Sequence, residues 1–129
     1  MKMHMIKYLG GLAEIVEDLD TAAAFYERLG LEVERTMPGY CEVKIDGVAH
    51  FGLWERRHAA ESTFGSSDAA DRIPLGFVVS FEVDDVDKAA DAFADVVLRG
   101  AKDESWGQRT LRFTTSSGAI AEIAVSPKQ

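Results

Sequence analysis

Val16-Glu17-Asp18-Leu19-Asp20-Thr21-Ala22-Ala23 and Val83-Asp84-Asp85-Val86-Asp87-Lys88-Ala89-Ala90 are two copies of one pattern, 67 residues apart and aligned without a gap. Five of the eight paired positions are identical, and Glu/Asp and Leu/Val are conservative changes, so the pattern reads as an internal repeat. Each copy closes an apolar, strand-like run and opens a helix. Asp18 or Asp20, and Asp85 or Asp87, can accept hydrogen bonds from the free N–H groups of a first helical turn and favour its positive end. In the second copy Val86, Ala89, Ala90, Phe93 and Val97 share one helical stripe. Ala22, Phe25, Tyr26 and Leu29 do the same in the first. Gly30 and Gly100 are the expected helix stops, where a left-handed residue is needed.

Outward from each helix the period changes to two. Leu31–Arg35, Tyr40–Ile45 and Val48–Trp54 read as three strands, with Pro38-Gly39 and Asp46-Gly47 as the turns. Thr110–Thr114 and Ala119–Val125 read as strands around the turn Ser116-Ser117-Gly118, preceded by a weak strand near Ala101–Glu104. Each half therefore reads strand–helix–strand–strand–strand. Module 1 covers about residues 6–58, a connector about 59–75, and module 2 about 76–126, all in a single domain. Ser62–Arg72 is the Ser-, Gly- and Asp-rich part of that connector. The expected fold class is α+β: two tandem βαβββ modules forming curved mixed sheets around a cavity.

The chain has 129 residues, enough for one core, and is 47% hydrophobic and 28% charged, which is ordinary globular composition rather than that of a disordered chain. Its net charge is −8. That field repels a nucleic-acid backbone and an anionic membrane, so neither is an expected partner. No apolar run approaches the roughly 20 residues of a membrane helix, and Met1–Lys7 holds no apolar stretch of signal-peptide length. The single cysteine, Cys41, forms no internal disulfide and lies in an alternating stretch, where a small buried hydrophobe is expected. A cytoplasmic location is the simplest expectation.

These residues resemble the vicinal oxygen chelate superfamily, which includes glyoxalase I, extradiol dioxygenases, fosfomycin-modifying enzymes and bleomycin-resistance binding proteins. The resemblance is carried by Val16-Glu17-Asp18-Leu19 with Phe25-Tyr26-Glu27-Arg28-Leu29-Gly30-Leu31, by Phe81–Val86 and Trp106-Gly107-Gln108-Arg109, and by Gly118 with Glu122-Ile123. It runs from about Leu9 to Val125. Two departures are visible. The first helix ends a residue early, between Phe25-Tyr26 and Leu29-Gly30. Thr115-Ser116-Ser117-Gly118 stands where the family tends to have Asp-Pro-Asp/Asn-Gly. Glu14 adds a charge inside the first apolar strand, where a bulge, a solvent-facing position or a polar pocket would each accommodate it.

The resemblance implies a divalent metal in the enzymes of the family, held by His and Glu side chains from four strands. Carried over one at a time, those positions are Gly11, Val78, a residue at or near Gly52, and Glu122. Only Glu122 is of ligand type, and one carboxylate is short of the three or four donors a catalytic ion takes. His50 lies two residues from Gly52 and so on the same strand face. If a metal is bound, Glu122 and His50 are its expected ligands. His4 lies near the start of the sequence and His58 beyond Trp54-Glu55-Arg56-Arg57, and no His-x-His or His-Glu-x-x-His spacing is present. The leading expectation is a metal-free protein with no cofactor that binds a small organic ligand of cationic or aromatic character and resembles the bleomycin-resistance branch. Its candidate contacts are His50, Trp106, Glu122, Trp54, Arg109 and Gly52. Glu122 can pair with a ligand, with Arg109 or with His50. Trp106 can close over a cavity mouth, and Gly11 and Gly52 leave empty space. Trp106 can equally pack in the core or at a dimer interface, and for Trp54 such packing is the leading expectation. The alternatives are a metal-dependent lyase, isomerase or dioxygenase using His50 and Glu122, and a non-catalytic accessory module. The resemblance implies a homodimer, with the modules pairing within one chain or between two.

Overall fold

Asp18 and Asp85 are the residues at which each repeat turns from strand to helix. Asp18 accepts the Thr21 N–H at 3.0 Å and Asp85 accepts the Lys88 N–H at 3.1 Å, so of the acidic pairs it is the first member that caps. In the computed structural model, which describes residues 5–48 and 50–127, the elements follow in chain order. The first module is β1 (Ile6–Val16), α1 (Leu19–Arg28), β2 (Glu32–Met37), β3 (Tyr40–Lys44) and β4 (Phe51–Glu55). Next come α2 (Arg56–Phe64) and a 3-10 segment (Ser67–Arg72). The second module is β5 (Gly76–Val83), the single turn α3 (Val86–Ala89) continued as a 3-10 turn (Ala90–Phe93), β6 (Val97–Asp103), β7 (Arg109–Thr114) and β8 (Ile120–Val125). The class is α+β, as expected, with βαβββ in each module. Among the described residues no helix is long and apolar enough to cross a membrane.

Two compact units share the strands. One comprises residues 11–78; the other takes the described residues up to Gly10 and from Val79 onward. Strand order is β2-β3-β4-β1 in the first unit and β1-β5-β8-β7-β6 in the second, β1 contributing a different half to each. The sheets are mixed. β1 runs parallel to β4 and β5 parallel to β8, while the β2–β3, β3–β4, β6–β7 and β7–β8 pairs are antiparallel.

In both units one sheet face is apolar and covered by the helix. In residues 11–78, Ala23 of α1 packs on Cys41, Val43 and Leu53, with Leu19, Tyr26, Val33 and Phe51 around them. Cys41 is buried in this core, and burial pushes its thiol pKa up, as expected of a packing residue rather than a nucleophile. In the other unit Val86 and Ala89 pack on Val83, Leu111, Phe113, Ala121 and Ile123. Each fully buried aliphatic side chain of this kind contributes about 1.5–3 kcal/mol. Strand alternation then commits the opposite faces to Ala13, Glu42, Gly52 and Trp54 in one unit, and to Ser80, Thr110, Arg112 and Glu122 in the other.

Four local expectations are corrected. The second helix stops at Ala89–Phe93, and Gly100 lies inside β6 without a left-handed φ. Val96 and Val97 are β-branched and are taken up by β7, the Val96 carbonyl accepting from Thr114 N–H and Val97 standing opposite Phe113. The strand expected near Ala101–Glu104 accordingly begins at Val97, and the one expected from Val48 begins at Phe51. The stretch after Trp54 carries α2, capped by Glu55 on the His58 N–H and stopped by Gly65 at φ 82°. Gly30, by contrast, is left-handed at φ 89° directly after α1, with its N–H on the Glu27 carbonyl and that of Leu31 on Tyr26, as a helix stop requires.

Candidate functional site

Glu122 lies on the polar face of β8, with a partner on each neighbouring strand. The β7–β8 register puts Arg112 directly across from it, and the β5–β8 register puts Ser80 beside it. Arg112 Nε donates to Glu122 Oε1 at 2.8 Å, and Ser80 Oγ donates to Glu122 Oε2 at 2.7 Å. Arg112 is 0% exposed. Its Nη2 donates at 2.9 Å to Glu104 Oε2, which also accepts from Thr110 Oγ1 at 2.9 Å and Arg99 Nη2 at 3.1 Å. Arg99 Nη2 also reaches Thr110 Oγ1 at 2.8 Å, and Lys102 Nζ stands 3.6 Å from Glu104 Oε1. Burial, with the Arg112 charge beside it, lowers the Arg99 pKa, against the opposing pull of Glu104 and Glu122. Two buried carboxylates and the arginines between them thus form one hydrogen-bonded layer, which is how buried charge is tolerated.

Arg109 is not part of that layer. It lies three residues before Arg112 on β7 and opposite Val125. Its Nε and Nη2 clamp Asp87 at 2.9 Å each, and Nη1 reaches Asp103 at 3.0 Å. Those hydrogen bonds raise the Arg109 pKa and lower that of Asp87. The expected Glu122–Arg109 pairing is therefore replaced by Glu122–Arg112. The hairpin loop decides this: Thr114 pairs with Ile120, and counting back from there brings residue 112 to residue 122. That count was available once Ser116-Ser117-Gly118 was read as the turn, and it is the signal that would have found Arg112. Trp106 is half-buried between β6 and β7, with Nε1 on Gln108 Oε1 at 2.8 Å.

In residues 11–78 the expected site residues meet different partners. His50 pairs with Glu42, Nδ1 to Oε1 at 3.4 Å, and the second Glu42 oxygen accepts the Phe51 N–H at 3.2 Å. Gly52 does not leave empty space. The Tyr40 ring crosses it, and a Cβ built on Gly52 would lie 1.9 Å from the Tyr40 hydroxyl oxygen. A Cβ built on Gly11 would meet His50 less severely, at 3.1 Å from the His50 Cβ. Trp54 is buried, and its Nε1 donates to His58 Nδ1 at 2.8 Å. His4 lies outside the described residues.

Glu14 has a specific partner on the helix-covered face of the same unit. Tyr26 Oη of α1 donates to Glu14 Oε1 at 2.5 Å. The Tyr26 ring meets Phe25 and Phe51 edge-on at centroid distances of 5.2 and 5.5 Å. Burial first, then the Glu14 hydrogen bond and charge, push the Tyr26 pKa from 10.0 to about 12. A folded pKa above the unfolded one means the neutral phenol stabilises the fold fully below pH 10, and that contribution is lost as pH rises through about 12. Ultraviolet titration of the wild type minus Tyr26→Phe should isolate a phenol titrating near pH 12. Glu14→Gln should bring it part of the way back. A Tyr26 titrating at the ordinary value in the wild type would contradict the geometry.

The surroundings of Glu122 are unfavourable to the divalent ion that the resemblance implies. Both Glu122 oxygens are engaged, and the Arg112 cation sits against one of them, where an ion would be repelled. The residue level with Glu122 on β5 is Ser80 rather than Val78, and Gly52 is covered by Tyr40. Among the described residues no three His, Cys, Asp or Glu side chains gather into an ion-holding group.

Comparison with known proteins gives one family. The profile described as Glyoxalase/Bleomycin resistance protein/Dioxygenase superfamily matches residues 9–123. Among solved structures, methylmalonyl-CoA epimerase from Mycobacterium tuberculosis is similar with a TM-score of 0.67 at 19% identity, covering 100% of this chain and 93% of that one. A superfamily member from Vibrio splendidus 12B01 is similar with a TM-score of 0.60 at 18% identity, covering 89% and 96%. A hypothetical protein from Bacillus halodurans C-125 gives 0.64 at 16% identity, covering 95% and 96%. At these identities the likeness is one of fold. No curated protein sequence matches.

Proposed function

The chain belongs to the glyoxalase/bleomycin resistance protein/dioxygenase superfamily, and from that premise we propose that it binds a small organic molecule without a resident metal. One observation carries the reading. Glu122, the residue of ligand type among the positions carried over from the family's enzymes, spends both oxygens on Arg112 and Ser80. The protein supplies its own cation at this carboxylate. Lewis-acid chemistry at Glu122 would first require breaking a buried ion pair. The working assembly in this reading is a homodimer. Exposed Phe25, Leu29, Leu75 and Phe77 in residues 11–78 supply apolar surface of the kind that self-association covers.

The test is elemental analysis of protein purified without a chelating tag or EDTA, with thermal melts in Ni²⁺, Zn²⁺, Mn²⁺ and Fe²⁺. An ion present at a hundred times its Kd would add about 2.7 kcal/mol and raise the melt by several degrees. The expected result is metal far below one ion per chain and melts that no ion shifts. Near-stoichiometric metal, or a melt raised by one ion in the wild type but not in Glu122→Gln, would overturn the reading and favour a metal-dependent enzyme.

A further inference from the structure

The internal repeat leaves one carboxylate without the facing arginine that answers its counterpart. Residues 42 and 52 face each other on β3 and β4 as residues 112 and 122 do on β7 and β8, each lying 70 positions earlier in the chain. Ala13 stands beside Gly52 as Ser80 stands beside Glu122. In the second module this set is Arg112, Glu122 and Ser80, a cation, an anion and a hydroxyl that satisfy one another. In the first module it is Glu42, Gly52 and Ala13. The carboxylate is there, and neither facing residue can answer it.

Glu42 nevertheless sits well in from solvent. Its side chain is only 18% exposed, against 68% for His50 beside it. Its contacts are the Phe51 N–H at 3.2 Å and His50 Nδ1 at 3.4 Å; the nearby Lys44 feels its charge but is ion-paired to Glu34 at 2.8 Å, and among the described residues no lysine or arginine lies at ion-pair distance from it. Withdrawing a carboxylate from water without a full counter-charge is costly, and an external cation offsets that cost. The surroundings specify which cation. One carboxylate and one imidazole fall short of the donor number a divalent ion takes. The Tyr40 ring lies across Gly52, the residue that faces Glu42 on β4. An aromatic group and a carboxylate together are the recognition chemistry of an organic ammonium or guanidinium, through cation–π attraction and a charge-assisted hydrogen bond. The net charge of −8 favours the approach of such a ligand.

We infer that Glu42, His50 and Tyr40 form a subsite for the cationic group of a small organic ligand, with Glu42 as its counter-ion. The inference rests on the reading of the chain as a small-molecule binder and adds the charge of what it binds.

Three probes of one shape separate the possibilities: benzylammonium, benzyl alcohol and benzoate. Binding is read from amide shifts at Glu42, Phe51 and Gly52 in NMR titrations of the full chain. Benzylammonium should bind at these positions at least about tenfold more tightly than benzyl alcohol, and benzoate should not bind. Glu42→Gln keeps an oxygen for the Phe51 N–H and removes only the charge. It should weaken benzylammonium about tenfold and leave benzyl alcohol unchanged. Benzylammonium no tighter than benzyl alcohol, an affinity indifferent to Glu42→Gln, or no binding by any probe at millimolar concentration would each overturn the subsite. The metal measurements decide the wider reading separately. Equal binding of the alcohol and the ammonium together with absent metal would leave a binding protein without this cation subsite.

Discussion

Arg112→Ala should cost about 3–5 kcal/mol in urea or guanidinium unfolding, a large share of the roughly 5–15 kcal/mol that holds a domain together. The guanidinium is fully buried and bridges Glu122 and Glu104, at 2.8 and 2.9 Å. Removing it leaves Glu122 the Ser80 hydroxyl, and Glu104 Arg99, Lys102 and Thr110. The uncompensated charge at Glu122 is then the main penalty. The double variant Arg112→Met with Glu122→Leu removes both charges, fills the volume with apolar atoms and leaves Glu104 its other partners. It should recover most of the loss, because a buried ion pair replaced whole by hydrophobic residues is often neutral or better. A single variant costing under about 1 kcal/mol would mean that water reaches this layer.

Gly52→Ala should be the second large effect. The new Cβ would fall 1.9 Å from the Tyr40 hydroxyl oxygen and 2.2 and 2.6 Å from two ring carbons, so the ring must leave its place. Overpacking of this kind costs about 1–3 kcal/mol. In a Tyr40→Ala background the same substitution should be neutral or slightly stabilising, because a strand glycine gives up more backbone entropy than alanine on folding. A double-mutant cycle measures the difference directly. If Gly52→Ala cost the same with and without the Tyr40 ring, the glycine would be serving the backbone of β4 rather than the aromatic ring.

Both experiments turn on residues that a linear reading passes over or misassigns. Gly52 stands at a carried-over ligand position, and the absence of a side chain there reads as space. Tyr40, twelve positions earlier, lies opposite Trp54 on the neighbouring strand and fills that space. Arg109 belongs to a recognisable Trp-Gly-Gln-Arg stretch and attracts attention as a partner for Glu122. Arg112, in the same strand with no motif around it, is the one that reaches the carboxylate. Glu14 was visible as an oddity, but its partner Tyr26 could be named only once α1 was laid over β1.

The order of elements was legible because its determinants are local. Asp18 and Asp85 start helices through a hydrogen bond three residues away, and Gly39, Gly47 and Gly118 turn the chain through their own positive φ. The repeat displayed the same grammar twice, which is why α+β in two βαβββ modules followed from the chain alone. The second helix broke that parallel because Val96 and Val97 gain more by pairing with β7 than by extending a short helix, a gain paid across the sheet. The same holds for the charged groups. A sequence states that Glu42 and Glu122 are carboxylates on strands. Whether each meets an arginine, a histidine or a glycine depends on register, which hairpin loop length and the burial of one sheet face set together. That leaves Glu122 neutralised from within and Glu42 without a full counter-charge, a difference between two copies of one pattern that only the tertiary pairing decided.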